Sequence, residues 1–433
     1  MERTHQPGGA GQGADVVVVG GGLAGLTAAA LLARDGRRVE LLERADAPGG
    51  RARTRRQGQF RLNLGPHALY VAGAGAAVLR ELGVPFDGAS PPSGGVLTCG
   101  GREAPIPATP GALLRHRGLT LRGRLEALRF FAQVARGPLP PAACSFDAWL
   151  AARRTPPELA RLLRAFVRLS TYVADTDALS AEAALRQLRQ ALDGVLYVHG
   201  GWESLVRGLA ERAQSLGARL RTGCAVRSVA VGPAGPELRL EDGALVPART
   251  VILAVPPRQA LALLGSSAAP RLREFVTGCR PVLASCLDVG LRTLPRPDVA
   301  LALDLDDARY LSCHSLAAGL APPGTALLQL ARYGEDDGGA RAGLEAWLDA
   351  LQPGWRAEVV LERWLPAARV CEALPTAEQG GLRGRPPVDG AGPAGVLLCG
   401  DWVGPEGLLS DASFASARTA VRLAIGTPLR EAG

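Results

Sequence analysis

The chain contains no lysine, so all 49 of its basic residues are arginine and no chemistry that depends on a lysine amine is open to it. Aromatic residues make up only 4%. That scarcity argues against a single-strand nucleic-acid binder, which needs stacking platforms between its basic side chains. The net charge of +8 is accounted for by a composition rich in Ala, Arg, Gly and Pro, as a GC-rich coding sequence gives, and no nucleic-acid partner is expected. The longest apolar stretches, such as Leu23 to Ala33, are about half of the ~20 residues that a membrane-spanning helix needs. The start of the chain, MERTHQPGGAGQGA, has neither a basic segment before an apolar run nor an Arg-rich amphipathic pattern. It reads as a short disordered tail on a cytoplasmic protein. The eight cysteines form no CxxC pair and the five histidines lie far apart, so scattered free thiols and no metal site are expected.

What is present is an ordinary globular composition, 47% hydrophobic over 433 residues. That length suits two or three cores. The first element runs from Asp15 through four valines to Gly20-Gly21-Gly22-Leu23-Ala24-Gly25, then an Ala/Leu-rich stretch to Arg34, then Arg38 to Glu43. This is strand, glycine turn, helix, strand. Gly20 permits the tight turn, Gly22 lets backbone approach a pyrophosphate, and Gly25 allows close packing of helix on strand, with the free N–H groups of the helix start facing the phosphates. Glu43 ends the second strand, where a carboxylate accepts hydrogen bonds from a ribose 2′-hydroxyl and disfavours NADP. Two other glycine clusters are decoys. Gly390 to Gly395 contains a proline and precedes a strand, and Gly73 to Val78 lacks the third glycine and reads as a helix-capping turn.

The alternation of elements predicts an α/β protein with a discontinuous Rossmann-type domain and an inserted, largely helical α+β substrate domain. The dinucleotide domain is expected from 14–87, 195–267 and 391–433, and the substrate domain from 88–194 and 268–390. Within the insert, Leu121, Leu125, Leu128 and Phe131 recur at helical spacing while Arg122, Arg129 and Arg136 fall elsewhere. The apolar set is read as packed into the helical domain. Resting on anionic lipid is the other use such a basic amphipathic helix could serve, and with it a peripheral association with a membrane.

Pro48-Gly49-Gly50-Arg51 directly after Glu43 and Arg44, then Asn63-Leu64-Gly65-Pro66-His67, Gly200-Gly201-Trp202-Glu203, and Cys399-Gly400-Asp401-Trp402 followed by Asp411-Ala412-Ser413-Phe414-Ala415-Ser416, together resemble the signatures of the flavin amine oxidase superfamily, which includes phytoene desaturases and protoporphyrinogen oxidases. The resemblance implies FAD. It places the cofactor against Gly20, Gly22, Leu23, Ala24, Gly25, Glu43, Arg44, Gly49, Gly50, Arg51, Gly65, Pro66, His67, Val226, Ala254, Gly400, Asp401, Asp411 and Ala412. Asp401 is expected on the ribityl chain, and the helix after it, capped by Ser410 or Asp411, is expected to aim its positive end at the flavin. His67 is the one candidate catalytic residue.

The expected activity is FAD-dependent removal of a hydride from a hydrophobic substrate, isoprenoid, carotenoid-like or polycyclic, by a desaturase or dehydrogenase. The alternatives are an amine oxidase that works without the lysine–water mechanism, which this chain lacks, and a non-catalytic flavin-binding protein. No second dinucleotide loop is present, so the acceptor is expected to be oxygen, a quinone or another free molecule.

Overall fold

The computed structural model describes residues 14–426 apart from 93 and 234. The stretch 1–13, read above as a tail, lies outside the described residues. Four consecutive valines suit a strand buried on both faces, and Val16–Val19 is the centre of a five-stranded sheet in which all four are buried. It pairs in parallel with Val39–Leu42 on one side and Thr250–Leu253 on the other. Arg219–Arg221 and Val396–Leu398 add the two edges, also in parallel. Three separate stretches of the chain thus meet in one sheet.

A parallel sheet needs cover on both faces. The helix Leu23–Arg34 supplies part of it, with ten consecutive buried residues from Ala24 to Ala33. It packs between the helix Glu203–Ser215 and the C-terminal helix Leu409–Ile425. Gly36, in the left-handed region at φ 82°, ends it, since glycine carries no Cβ penalty there. Helix and strand approach so closely that a Cβ on Gly25 would lie 1.9 Å from the Gly20 carbonyl oxygen, and one on Gly20 would lie 2.5 Å from that of Ala254.

A second, seven-stranded sheet runs in the order Val359–Cys371, Val282–Leu291, Ala326–Tyr333, Arg309–Cys313, Leu301–Asp304, Val96–Cys99, Arg102–Pro105. All its pairings are antiparallel except Leu301–Asp304 with Val96–Cys99. One core joins this sheet to the helices Leu121–Arg136, Phe146–Ala152, Pro157–Thr171 and Ala181–Leu192. A separate core packs the helix Ala340–Leu351 on it.

The helix Leu121–Arg136 corrects the sequence pattern. Its buried residues are Gly123, Ala127, Phe130 and Val134, while Leu121 is 71% and Leu125 47% exposed. The cause is close approach. A Cβ on Gly123 would come within 3.0 Å of a Glu158 carboxylate oxygen, so the small residues rather than the leucines meet the neighbouring helix.

The contact at Gly25 gives a stability test. Gly25→Ala drives a methyl into fixed backbone, and overpacking of this kind costs about 1–3 kcal/mol. We expect a lower urea midpoint with an unchanged m-value; a midpoint equal to that of the parent chain would show that the helix can retreat from the strand.

Candidate functional site

The carboxyl ends of the parallel strands open into a cavity of about 370 Å³, within the range of small-molecule sites. Val19 and Gly20 follow the first strand into its wall, Leu42 and Glu43 the second, Ala254 and Val255 the fourth, and Gly400 and Asp401 the last. Ligands of open α/β sheets bind at this edge.

Gly22 is the N-cap of the helix Leu23–Arg34 and supplies no side-chain cap. A Cβ built on it meets nothing within 4 Å. The helix start therefore presents uncapped N–H groups beside open space, a cradle for a phosphate. Glu43 lines the cavity from the end of the second strand. Its two oxygens already accept from the amides of Gly21 (2.6 Å) and Ala45 (2.8 Å), which fixes the carboxylate while leaving each oxygen a further lone pair. The amide of Gly49 donates to the Gly21 carbonyl at 2.7 Å, locking the Pro48–Arg51 turn to the glycine loop.

Arg51 reaches across to the other end of the chain. Its Nη1 donates to Asp401 Oδ2 at 2.8 Å and to the Val370 carbonyl at 3.0 Å. Burial alone would push the Asp401 carboxyl up, but the Arg51 guanidinium outweighs it and holds the carboxyl below its ordinary value. The Glu372 amide also donates to Oδ2, at 3.1 Å. The buried Oδ1 has no partner among the described residues.

The loop that carries His67 is held from two sides. Asn63 Oδ1 accepts from Thr54 Oγ1 (2.7 Å) and from the Trp202 amide (3.1 Å), and Thr54 Oγ1 accepts from the Glu203 amide (3.0 Å). Gly201 must be glycine there, with φ 82° and a would-be Cβ 2.6 Å from Thr54 Oγ1. From the second sheet, Arg363 pairs with Asp288 and donates to the carbonyls of Leu62 and Asn63. The His67 ring lies 4.9 Å from that of Trp202. Its Nδ1 is 2.8 Å from the Gly65 carbonyl, so that nitrogen carries the proton. Burial, and then the charge of Arg51, push its pKa down, and the ring is neutral at neutral pH.

Of the residues expected on the cofactor, sixteen line this one cavity; Gly25, Asp411 and Ala412 do not. Gly25 lies behind the loop, where it sets the helix against the strand. Asp411 is turned away. Its Oδ1 accepts from the Gly75 amide at 2.7 Å and its Oδ2 from Gln190 Nε2. The helix Ala74–Glu81 starts at Gly73 without a cap of its own, and Asp411 serves as one. Neither Ser410 nor Asp411 caps the C-terminal helix. Its N-cap is Leu408, with no side-chain cap, and Leu409 follows at φ 54°. Leu409, Ser410 and Ser413 line the cavity instead, so the positive end of this helix is left open beside it.

Sequence reading missed part of the wall. Trp202 belongs to the Gly200-Gly201-Trp202-Glu203 motif, and its position before the helix was the available signal; its buried Nε1 has no partner among the described residues. Tyr70, Tyr172 and Cys286 also line the cavity and gave no signal. All five tyrosines of the chain are buried. The Tyr172 and Tyr333 rings meet edge-on at 5.7 Å, Tyr172 donates to the Pro66 carbonyl (3.2 Å) and Tyr70 to that of Ser170 (2.9 Å). Among the described residues no cluster of three or more His, Cys, Asp or Glu could hold a metal ion.

Sheet, glycine loop, strand-end carboxylate and edge cavity together define a dinucleotide-binding protein. Residues 23–425 match the family model described as flavin containing amine oxidoreductase. The chain belongs to this family of FAD-dependent oxidoreductases, and FAD is its cofactor. It is 31% identical over 289 residues to a Mycobacterium tuberculosis protein named as a flavin-containing monoamine oxidase, covering 58% of each chain. It is 57% identical to a phytoene dehydrogenase of Streptomyces griseus over 54 residues, 12% of this chain and 11% of that one. It thus spans 58% and 11% of the length of these two relatives, respectively. A solved structure of putrescine oxidase bound to putrescine superposes with a TM-score of 0.73, over 95% of this chain and 98% of that one, at 18% identity. That likeness shows the fold alone.

The residues present fit FAD. The cavity offers the open cradle at Gly22, an orphaned acceptor on Asp401 and an orphaned donor on Trp202, and buried polar atoms without partners are rare in folded proteins.

Burial pushes Asp411 up to about 6, above the ~3.9 of an unfolded aspartate. A pKa raised on folding means that its contribution to stability is present below about pH 4 and is lost as pH rises through about 6. Asp411→Asn removes this dependence. The stability difference between variant and parent should shift in the variant's favour by on the order of 2 kcal/mol from pH 4 to pH 7; a difference flat with pH would show that Asp411 does not titrate in this window.

Proposed function

We propose that this chain is an FAD-dependent dehydrogenase or desaturase that removes hydrogen from an uncharged, hydrophobic substrate, isoprenoid-like or polycyclic. The observation that carries the reading is the uncharged part of the cavity wall. Pro66, His67, Tyr70, Tyr172, Trp202 and Cys286 line it, and burial keeps the Tyr70, Tyr172 and Cys286 protons in place and the His67 ring neutral. The charged lining residues are Glu43, Arg44, Arg51, Arg369, Glu372 and Asp401. Four of these neutralise one another, Arg51 with Asp401 at 2.8 Å and Arg369 with Glu372 at 2.9 Å. A substrate that brought its own charge would find no free counter-charge among the tyrosines, and burying an unpaired charge is costly.

In this reading Gly20, Gly22, Leu23, Ala24, Gly49 and Gly50, which line the cavity, would hold the pyrophosphate, Glu43 and Arg44 the adenosine ribose, and Val226 and Ala254 the adenine end. With FAD bound, Asp401 Oδ1 would be an acceptor for cofactor hydroxyls, and the open start of the helix Leu409–Ile425, which lines the cavity through Leu409, Ser410 and Ser413, would stabilise negative charge on the flavin. FAD, when bound, supplies the capacity to accept two electrons. The protein's own part is to position the substrate and exclude water. His67 is neutral, fixed by Gly65 and Trp202, and fits a positioning contact rather than proton donation. The dinucleotide-binding unit is then 14–87, 195–267 and 391–433, of which 427–433 lies outside the described residues, and the substrate unit 88–194 and 268–390. The electron acceptor is a free molecule such as oxygen or a quinone.

The family resemblance to amine oxidases favours a second reading, oxidation of an amine presented in its neutral form, without a lysine. One experiment separates the readings: anaerobic mixing of the FAD-loaded protein with polyenes, uncharged polycyclic compounds and amines while flavin absorbance is followed. Bleaching by the apolar compounds alone is expected. Bleaching by amines alone would replace the proposal with the second reading, and no bleaching by any of them would favour a non-catalytic flavin-binding protein.

A further inference from the structure

The helix Leu121–Arg136 and the short helix Pro110–Arg115 before it show an outer face that the fold does not cover. Leu114, Leu121 and Leu125 are 43%, 71% and 47% exposed, three of the large exposed apolar side chains of the described residues within a dozen positions. Interleaved with them are the exposed arginines Arg115, Arg117, Arg122, Arg129 and Arg136. From residue 110 to 136 there are six arginines and one acid, Glu126. That acid is taken up by Arg129 at 2.6 Å, and Glu158, which packs beside the helix start, accepts from Thr120 Oγ1 at 2.7 Å. Arg129 is the one of these five exposed arginines in an ion pair among the described residues.

We propose that this face docks on an anionic lipid surface, with Leu114, Leu121 and Leu125 entering the headgroup–acyl boundary and the arginines around them meeting lipid phosphates. The argument is charge complementarity joined to amphipathic placement. An interfacial helix presents a few large apolar side chains flanked by cations, and each arginine near an anionic leaflet adds to the attraction. The inward side of the same helix is fixed by Gly123, Ala127, Phe130 and Val134, so the leucines cannot turn inward without unpacking the core. No helix among the described residues is long and apolar enough to cross a membrane, and the proposed contact is peripheral. Phe131 packs edge-on against Phe166 of the helix Pro157–Thr171 at 6.0 Å. That second helix ends at Tyr172, on the cavity wall. Lipid face and cavity are thus joined by one packed helix pair. The inference needs nothing about the substrate and stands apart from the proposed reaction.

The test is co-sedimentation of the FAD-loaded protein with vesicles of phosphatidylcholine mixed with phosphatidylglycerol, against vesicles of phosphatidylcholine alone. Binding to the mixed vesicles only is expected, weakened by salt. The variants Arg115→Gln/Arg117→Gln/Arg136→Gln and Leu121→Ser/Leu125→Ser should each weaken it by about tenfold or more. Both sets of changes are on exposed side chains, so flavin content and melting temperature should stay those of the parent, and this is measured alongside. No binding to the mixed vesicles overturns the proposal. So does a loss with the arginine variant alone, which marks unspecific charge attraction. A concentration-dependent self-association without vesicles that Leu121→Ser/Leu125→Ser abolishes would assign the face to a second copy of the chain instead.

Discussion

The ion pair between Arg51 and Asp401 spans 350 positions of sequence and ties the turn after the second strand to the end of the last. Much of the site's geometry depends on it. Asp401 is buried, and a buried carboxylate without a partner is costly; Arg51 and the Glu372 amide satisfy one oxygen and leave the other available. The pair can form only because the N-terminal, middle and C-terminal stretches lie side by side in one parallel sheet, and that in turn requires the close contacts of Gly20 with Ala254 and of Gly25 with Gly20. Backbone sterics set the distances, and one ion pair then fixes where the cavity's polar end lies.

The second sheet acts on the same site through side chains. Asp288 is buried and Arg363 partly so, and Arg363 spends its remaining donors on the carbonyls of Leu62 and Asn63. Burial pushes the Asp288 carboxyl up despite the facing guanidinium, so this pair adds less to stability than to the placement of the loop that carries Gly65, Pro66 and His67. The tyrosines complete the neutral side of the wall. A chain with so few aromatic residues has placed all of its tyrosines in the interior, two of them on the cavity. The helices that bring Tyr172 there are the ones whose outer neighbour exposes Leu121 and Leu125.

How much of this was legible in sequence follows the range of the interaction. The strand, glycine loop, helix and strand of residues 15–43 are set by local rules, valines for a doubly buried strand and glycines for a turn, and they lie in the structure where those rules put them. Gly50, Arg51, Gly400 and Asp401 were legible as motif members, and they line one cavity. Asp411 was misread because its partner is distant in sequence: an acid in the first turn of a helix is favourable in itself, and nothing local reveals that Gly75 and Gln190 draw it away. Leu121 and Leu125 were misread because apolar periodicity was given more weight than residue size, and at Gly123 it is size that decides which face can approach Glu158. Tyr70, Tyr172 and Cys286 come from three different elements, and no local pattern brings them together.

The most direct test of the account is titration of FAD into apo-protein, followed by the quenching of flavin fluorescence and by heat, for the parent chain and for Gly22→Val. The open space at Gly22 predicts one FAD per chain for the parent, and for the variant an unchanged melting temperature without FAD together with binding weakened by about a hundredfold, as expected when a side chain fills a site made for backbone contact with a pyrophosphate. Equal binding by both proteins, or none by the parent, would contradict the claim that this cavity holds the cofactor through its glycine loop.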